Sequence, residues 1–264
     1  MSLVSAILIV GAAGIAAALG TFFVHSKIEV DIRRRHHEAG AVVFLQLGVI
    51  FAVLLAFVFS EAWDGYNSAG LAIDLECSAL HSTAMLASSL RAEQARTVLV
   101  AQRDYLSSVV NAEWRIMAEH RTESVETDRK LQDLIMTVAA LKTLDPDTAG
   151  TRSHMLAMLT QAHTQRAMRI FQASINSGIP GVLWAVLIAF STVLVLCVSF
   201  SSIQYKATAI VITAIFAAGI VSILVVVRML DYPFEGALAL HAEHFAVVLS
   251  KVTDLLASGA PPHA

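Results

Sequence analysis

Four uninterrupted runs without a charged side chain, residues 3–24, 40–60, 180–203 and 207–227, constrain this chain more than any other feature. A hydrocarbon layer of about 30 Å takes roughly 20 residues of helix to cross, so each run can span a bilayer once. The first two are separated by the polar stretch His25 to Ala39, and the last two by Gln204, Tyr205 and Lys206. Pro180 opens the third run, where a proline suits the first turn of a helix. No basic segment precedes the first run, and it exceeds the apolar core of a secretory leader, so it reads as a span. With 56% hydrophobic and 15% charged residues and a mean hydropathy of +0.68, the chain belongs in a membrane. That composition excludes a cytosolic enzyme, a disordered tail and a disulfide scaffold. A formal charge of −3 argues against a general nucleic-acid binder. Cys77 and Cys197 are the only cysteines, Cys197 lies inside an apolar run, and no disulfide is expected.

The expected fold class is all-α, a polytopic membrane protein with four transmembrane helices and a helical extramembrane insert between the second and third spans. Residues 1–60 hold spans 1 and 2 with their basic loop, 61–178 the insert, 179–230 spans 3 and 4, and 231–264 a turn and a C-terminal amphipathic helix. In the insert, Tyr66, Ala69, Ile73, Cys77, Leu80, Ala84 and Ala87 recur at spacings of three and four, the seam of a packed helix, and Leu131, Leu134, Val138 and Leu141 repeat it. Asp145-Pro146-Asp147, with Gly150 following, supplies a break, and a softer one lies near His120 to Glu126. Phe245, Val248 and Val252 mark the apolar side of the last helix.

Lys27, Arg33, Arg34 and Arg35 in the first short loop and Lys206 in the second predict that both loops are cytoplasmic. Both termini and the insert are then extracytoplasmic, in a multi-pass protein of the bacterial inner membrane. The insert carries 11 Lys and Arg of its own, but long segments weigh little in this rule.

An enzyme needs convergent polar groups, and the central turns of the four runs contain no Asp, Glu, Lys, Arg or His. The chain is therefore expected not to be an enzyme, to carry no cofactor and to lack the charges of an ion-coupled transporter. Gln46, Ser191, Thr192, Cys197, Ser199, Thr213 and Ser222 are polar at membrane depth; hydrogen bonding within the bundle is one role, lining a polar pathway the other. His241 and His244 share a helix face but lack further ligands, and no metal site is expected. His36-His37 beside three arginines reads as a topology anchor or an acidic-headgroup site. Glu113-Trp114 reads as a packed carboxylate and aromatic anchor. Gly11, Gly14, Ala18 and Gly20 on the first span, and Gly48, Ala52 and Ala56 on the second, allow close helix approach. Beside the latter, Phe44, Phe51, Leu55 and Phe59 line up with Gly48 within about a quarter of the helix circumference. Such a stripe faces lipid or, in a ring of subunits, forms a constriction that gates ions by dewetting.

The order and spacing of several segments resemble the bestrophin-like family of bacterial and plant membrane proteins over nearly the whole chain. These are Arg33-Arg34-Arg35-His36-His37 before the second span, then Gly48 followed by Ala52-Val53-Leu54-Leu55-Ala56-Phe57. Trp63, Tyr66, Ala69 and Glu76 come next, then Tyr105, Val109 and Glu113-Trp114, and finally Ile179-Pro180, Trp184, and Asp231 with Pro233-Phe234 and Gly236. Phe51 stands where the family pattern has tyrosine, and the proline expected around Ala92 to Ala95 is missing. The resemblance implies a homo-oligomeric, ion-conducting, anion-selective membrane protein whose partners are the lipid bilayer, its own copies and small inorganic ions such as chloride. On the channel reading of the stripe, Phe44, Gly48, Phe51, Leu55 and Phe59 line the pore, and Arg33, Arg34 and Arg35 attract anions at one mouth. The rival reading is a non-conducting membrane sensor or scaffold whose helical insert binds a partner or ligand.

Overall fold

The computed structural model describes residues 1–29, 37–142, 146–174, 178–201 and 203–258, and no strand occurs among them. Among the described residues four helices are long and apolar enough to cross a membrane, and each contains most or all of one uncharged run. The first is α1 (Leu3–Lys27), and the second span begins α2 (His37–Ala87). Next come α3 (Ala92–Ser108), a π-helical turn (Val109–Glu113), α4 (Trp114–His120), α5 (Val125–Ala139) and α6 (Pro146–Ala173). The third and fourth spans are α7 (Gly181–Ser199) and α8 (Lys206–Leu230), and α9 (Glu243–Ser258) closes the chain. Residues 1–64 and 178–231 form one compact unit; 65–177 and 232–264 form a second.

In the membrane unit, α1 packs along α8. Gly14 makes this possible: a Cβ there would meet the Ala214 carbonyl at 3.5 Å and the Ala218 Cβ at 3.7 Å, so the helices touch with nothing larger than a methyl group between them. A backbone donor at the start of α7 is satisfied from the end of α8: the Ile179 N–H donates to Asp231 Oδ1 at 2.8 Å. Hydroxyls at membrane depth serve the backbone. Thr21, Ser191, Thr192, Ser199, Thr213 and Ser222 each donate to the carbonyl four residues earlier at 2.7–2.9 Å, which removes an unpaired donor from the hydrocarbon.

In the second unit, the lower half of α2 supplies Ala69, Ile73, Leu80 and Ala84 to a core shared with Val98, Leu106, Leu131, Leu134, Leu159 and Phe245. The turn after α2 needs no proline: Ser88 and Ser89 donate their hydroxyls to the Ala84 and Leu86 carbonyls, closing the helix end. The soft break expected near His120 to Glu126 is a left-handed residue, Arg121 (φ 55°), followed by Ser124, whose hydroxyl accepts from the Thr127 N–H at 3.2 Å and caps α5. Pro146 starts α6, the position that tolerates its missing donor. The amphipathic C-terminal helix, whose sequence pattern suggests a start near Leu238, begins at Glu243. The residues before it are drawn into a turn in which the Leu240 N–H donates to the Pro233 carbonyl at 2.7 Å and Gly236 takes φ 85°.

Candidate functional site

Two regions carry chemistry. The first is the second span. Its apolar character runs all the way round, as a membrane helix requires, but its burial within the chain does not. Phe51 is 6% and Leu55 9% exposed, and Val58 and Ala62 continue this covered side. Phe44 is half-buried, its ring centroid 5.9 Å from that of Phe216 on α8. Phe59 is more exposed and stacks on Trp63 at 6.4 Å. Around Gly48 a Cβ would meet nothing within 4 Å. The five residues of the aromatic stripe thus fall on and beside the side of α2 that the single chain covers. At about 100° per residue, the uncovered side is opposite: Val42, Gln46, Val49, Val53 and Phe57 share a sector of roughly 80°. All five are exposed, Phe57 at 72%. Arg33, Arg34 and Arg35 lie outside the described residues.

The second region is a buried polar network in the second unit. Arg169 on α6 is fully buried. Its Nε and Nη2 donate to the two Glu76 carboxylate oxygens at 2.9 and 3.2 Å, and Nη2 also reaches Glu113 Oε2 at 3.0 Å. Tyr105 donates its hydroxyl to Glu76 Oε1 at 2.5 Å. One turn earlier on α6, Arg166 donates to Glu113 Oε1 and to Asp128 Oδ1, both at 2.6 Å. The π-helical turn ends on Glu113, and its wider i→i+5 bond, from the Trp114 N–H to the Val109 carbonyl, sets the register at which this carboxylate meets both arginines. Trp114 follows, its indole N–H donating to the Leu240 carbonyl at 3.0 Å and its ring meeting Phe234 and Phe245 edge-on at 5.6 Å. The Arg169 guanidinium lies 5.3 Å from the Trp114 ring and 5.1 Å from Phe245.

Electrostatics follow from this geometry. Burial alone would pull the Arg169 and Arg166 pKa values down, but the carboxylates of Glu76 and Glu113 hold them above the ordinary arginine value. Burial, reinforced by the Glu76 charge, pushes the Tyr105 phenol well above its usual range. The two guanidiniums therefore stay charged and the phenol stays un-ionised at neutral pH. The network holds α2, the π-helical turn and α6 at fixed register. Beside it a cleft of about 380 Å³ is lined by Arg121, Glu123, Asp128, His163, Arg166 and Phe171. Arg121 is engaged by Glu235 and covers the Tyr232 ring at 3.8 Å.

Glu113-Trp114 is, as its sequence reading has it, a buried carboxylate beside an aromatic anchor. The residues around Asp231 also have structural roles, from the cap on α7 to Phe234 against Trp114. His244 pairs with Asp74, Nδ1 to Oδ1 2.6 Å, and among the described residues no group of three or more His, Cys, Asp or Glu could hold a metal. The two network arginines were not singled out by pattern. Their signal is spacing: Met155, Leu159, Ala162, Arg166, Arg169 and Ala173 are the buried positions of α6, so both arginines occupy core places in a seam of three and four.

A family model described as the bestrophin-like domain matches residues 11–245. Among solved structures, a variant of a bacterial bestrophin homolog from Klebsiella pneumoniae aligns with a TM-score of 0.74 at 14% identity, covering 97% of this chain and 99% of that one. A second variant of that homolog gives 0.71 at 13% identity, covering 93% and 98%. A crystal structure described as a membrane protein gives 0.68 at 14%, covering 96% and 98%. At these identities the likeness is one of fold. No curated protein matches.

Proposed function

Because the chain belongs to the bestrophin-like family, we propose that it is a homo-oligomeric ion channel of the bacterial inner membrane, selective for small inorganic anions such as chloride and lined by its second span. The observation that carries this reading is the family match over nearly the whole chain. The mechanism is the one such a helix allows: a ring of apolar side chains narrow enough to refuse an ion its hydration closes the path until the ring widens. Arg33, Arg34 and Arg35 raise the local anion concentration at one mouth.

Two faces of the second span are candidates for the wall. The aromatic stripe, Phe44, Gly48, Phe51, Leu55 and Phe59, is one. The cover over Phe51 and Leu55 in the single chain favours the other, Val49, Val53 and Phe57. Halide efflux from liposomes holding equal amounts of protein separates them. Phe57→Ala is expected to raise flux and Phe51→Ala to lower thermal stability instead. The reverse pattern returns the wall to the aromatic stripe. A wild type that passes no halide at any pH or calcium level favours the rival reading, a membrane sensor or scaffold, for which the cleft beside Arg121 and His163 is the natural ligand site.

The short-loop charges support an orientation with both termini and the insert outside the cytoplasm. Protease added to oriented cells is then expected to cut the insert, and an insert that survives until the membrane is broken inverts the topology.

A further inference from the structure

The six hydroxyl side chains described above find partners on their own helices or, for Thr21 and Ser199, in each other, but Gln46 does not. Its carboxamide, two N–H donors and one carbonyl acceptor, is exposed on the single chain and makes no hydrogen bond to any described residue. An amide turned to hydrocarbon without a partner is costly, so this side of α2 is expected to meet a neighbouring subunit or a hydrated path rather than lipid acyl chains. Gln46 lies in the same sector as Val49, Val53 and Phe57, opposite the side covered by the chain's own helices. In a ring with the second span innermost, the direction away from a subunit's own bundle is the axis.

We propose that Gln46 is the ion-selectivity residue of this pathway, its carboxamide N–H groups coordinating a partly dehydrated halide one turn before the apolar wall. The assignment rests on the channel reading and adds the residue that sets which ion passes. An uncharged donor suits the task. It replaces part of the lost hydration shell without the deep trap a guanidinium would make, so the ion can leave again. The sign of the ion follows from what surrounds the amide. No charged side chain lies between Gly40 and Ser60, and the basic Arg33 to Arg35 precede the helix whose N-terminal end, with its positive dipole, opens at His37.

Purified full-length protein in planar bilayers under a tenfold KCl gradient tests this. Gln46→Glu is expected to lower the anion-to-cation permeability ratio by about tenfold, because a carboxylate in a low-dielectric ring repels anions and admits cations. Gln46→Leu, which keeps the size and removes the donors, is expected to cut halide conductance at least severalfold, and Gln46→Asn to restore part of it. Should the glutamate variant fail to assemble, Gln46→Cys in a Cys197→Ser background decides the matter: a charged, membrane-impermeant thiol reagent is expected to block the current. A conducting wild type with unchanged selectivity in Gln46→Glu, or an unmodified Gln46→Cys, overturns this assignment alone. A wild type that carries no current overturns the channel reading as well.

Discussion

Replacing Arg169 with methionine removes a guanidinium of similar length from a site with no solvent to take its place. Glu76 would keep only the Tyr105 hydroxyl, and Glu113 would keep Arg166, which also serves Asp128, and a long bond from the Ser124 N–H. Breaking a fully buried ion pair by deleting one partner costs about 3–5 kcal/mol, because the charge left behind is neither hydrated nor neutralised. For a folding unit of about 150 residues each kcal/mol moves the melting midpoint by roughly 2–4 °C, so the expected fall is about 6–20 °C. Trp114 beside Arg169 is the reporter: Trp63 and Trp184 belong to the membrane unit, and replacing both with phenylalanine leaves Trp114 as the single fluorophore. Its emission, followed on heating in mild detergent, reads the second unit alone. Adding Glu76→Gln to Arg169→Met is expected to recover part of the loss, since the orphaned charge is then gone. An Arg169→Met protein that melts within about 2 °C of its parent refutes the reasoning.

Alkaline pH probes the same network from the phenol. The unfolded chain releases the Tyr105 proton near pH 10, whereas the folded chain retains it to a higher pH, so stability is expected to fall as pH rises above about 10. Tyr105→Phe should flatten that alkaline slope in melts between pH 9 and 11.5, and an unchanged slope contradicts it. Gly14→Ala is expected to be tolerated and Gly14→Leu to lower the melting midpoint of the membrane unit, because the Ala214 carbonyl and Ala218 methyl leave room for one carbon and no more. For Gly48→Leu, where the single chain offers open space, any loss of assembly seen by light scattering would report a neighbouring subunit.

The four spans were legible because a bilayer admits few solutions: about 20 residues without charge can do little else. Most of the insert's helices were legible from the three-and-four spacing of Leu80, Leu131, Leu134 and Val138, all fully buried here. Which side of the second span packs was not, since Phe51 and Phe57 are equally apolar and periodicity carries no signal when every face must satisfy lipid. Arg166 and Arg169 escaped notice for the converse reason: an arginine in a helix is ordinarily solvated, and only its place in the Met155 to Ala173 seam marks it as internal. The π-helical turn that carries Glu113 has no signature in Val109 to Glu113.

The partners of the buried network are far apart along the chain, and this bears on how the protein is made. Glu76 leaves the ribosome 93 residues before Arg169, a delay of roughly 5–20 s at about 5–20 residues per second. During that interval its carboxylate stays in water, because the core that would enclose it has no cation to offer. The nascent lower half of α2 therefore cannot bury its seam prematurely, against itself or a neighbouring chain, without burying an unpaired charge. Closure waits for α6, and the second unit is expected to form late and in one step, after the first two spans have already entered the membrane.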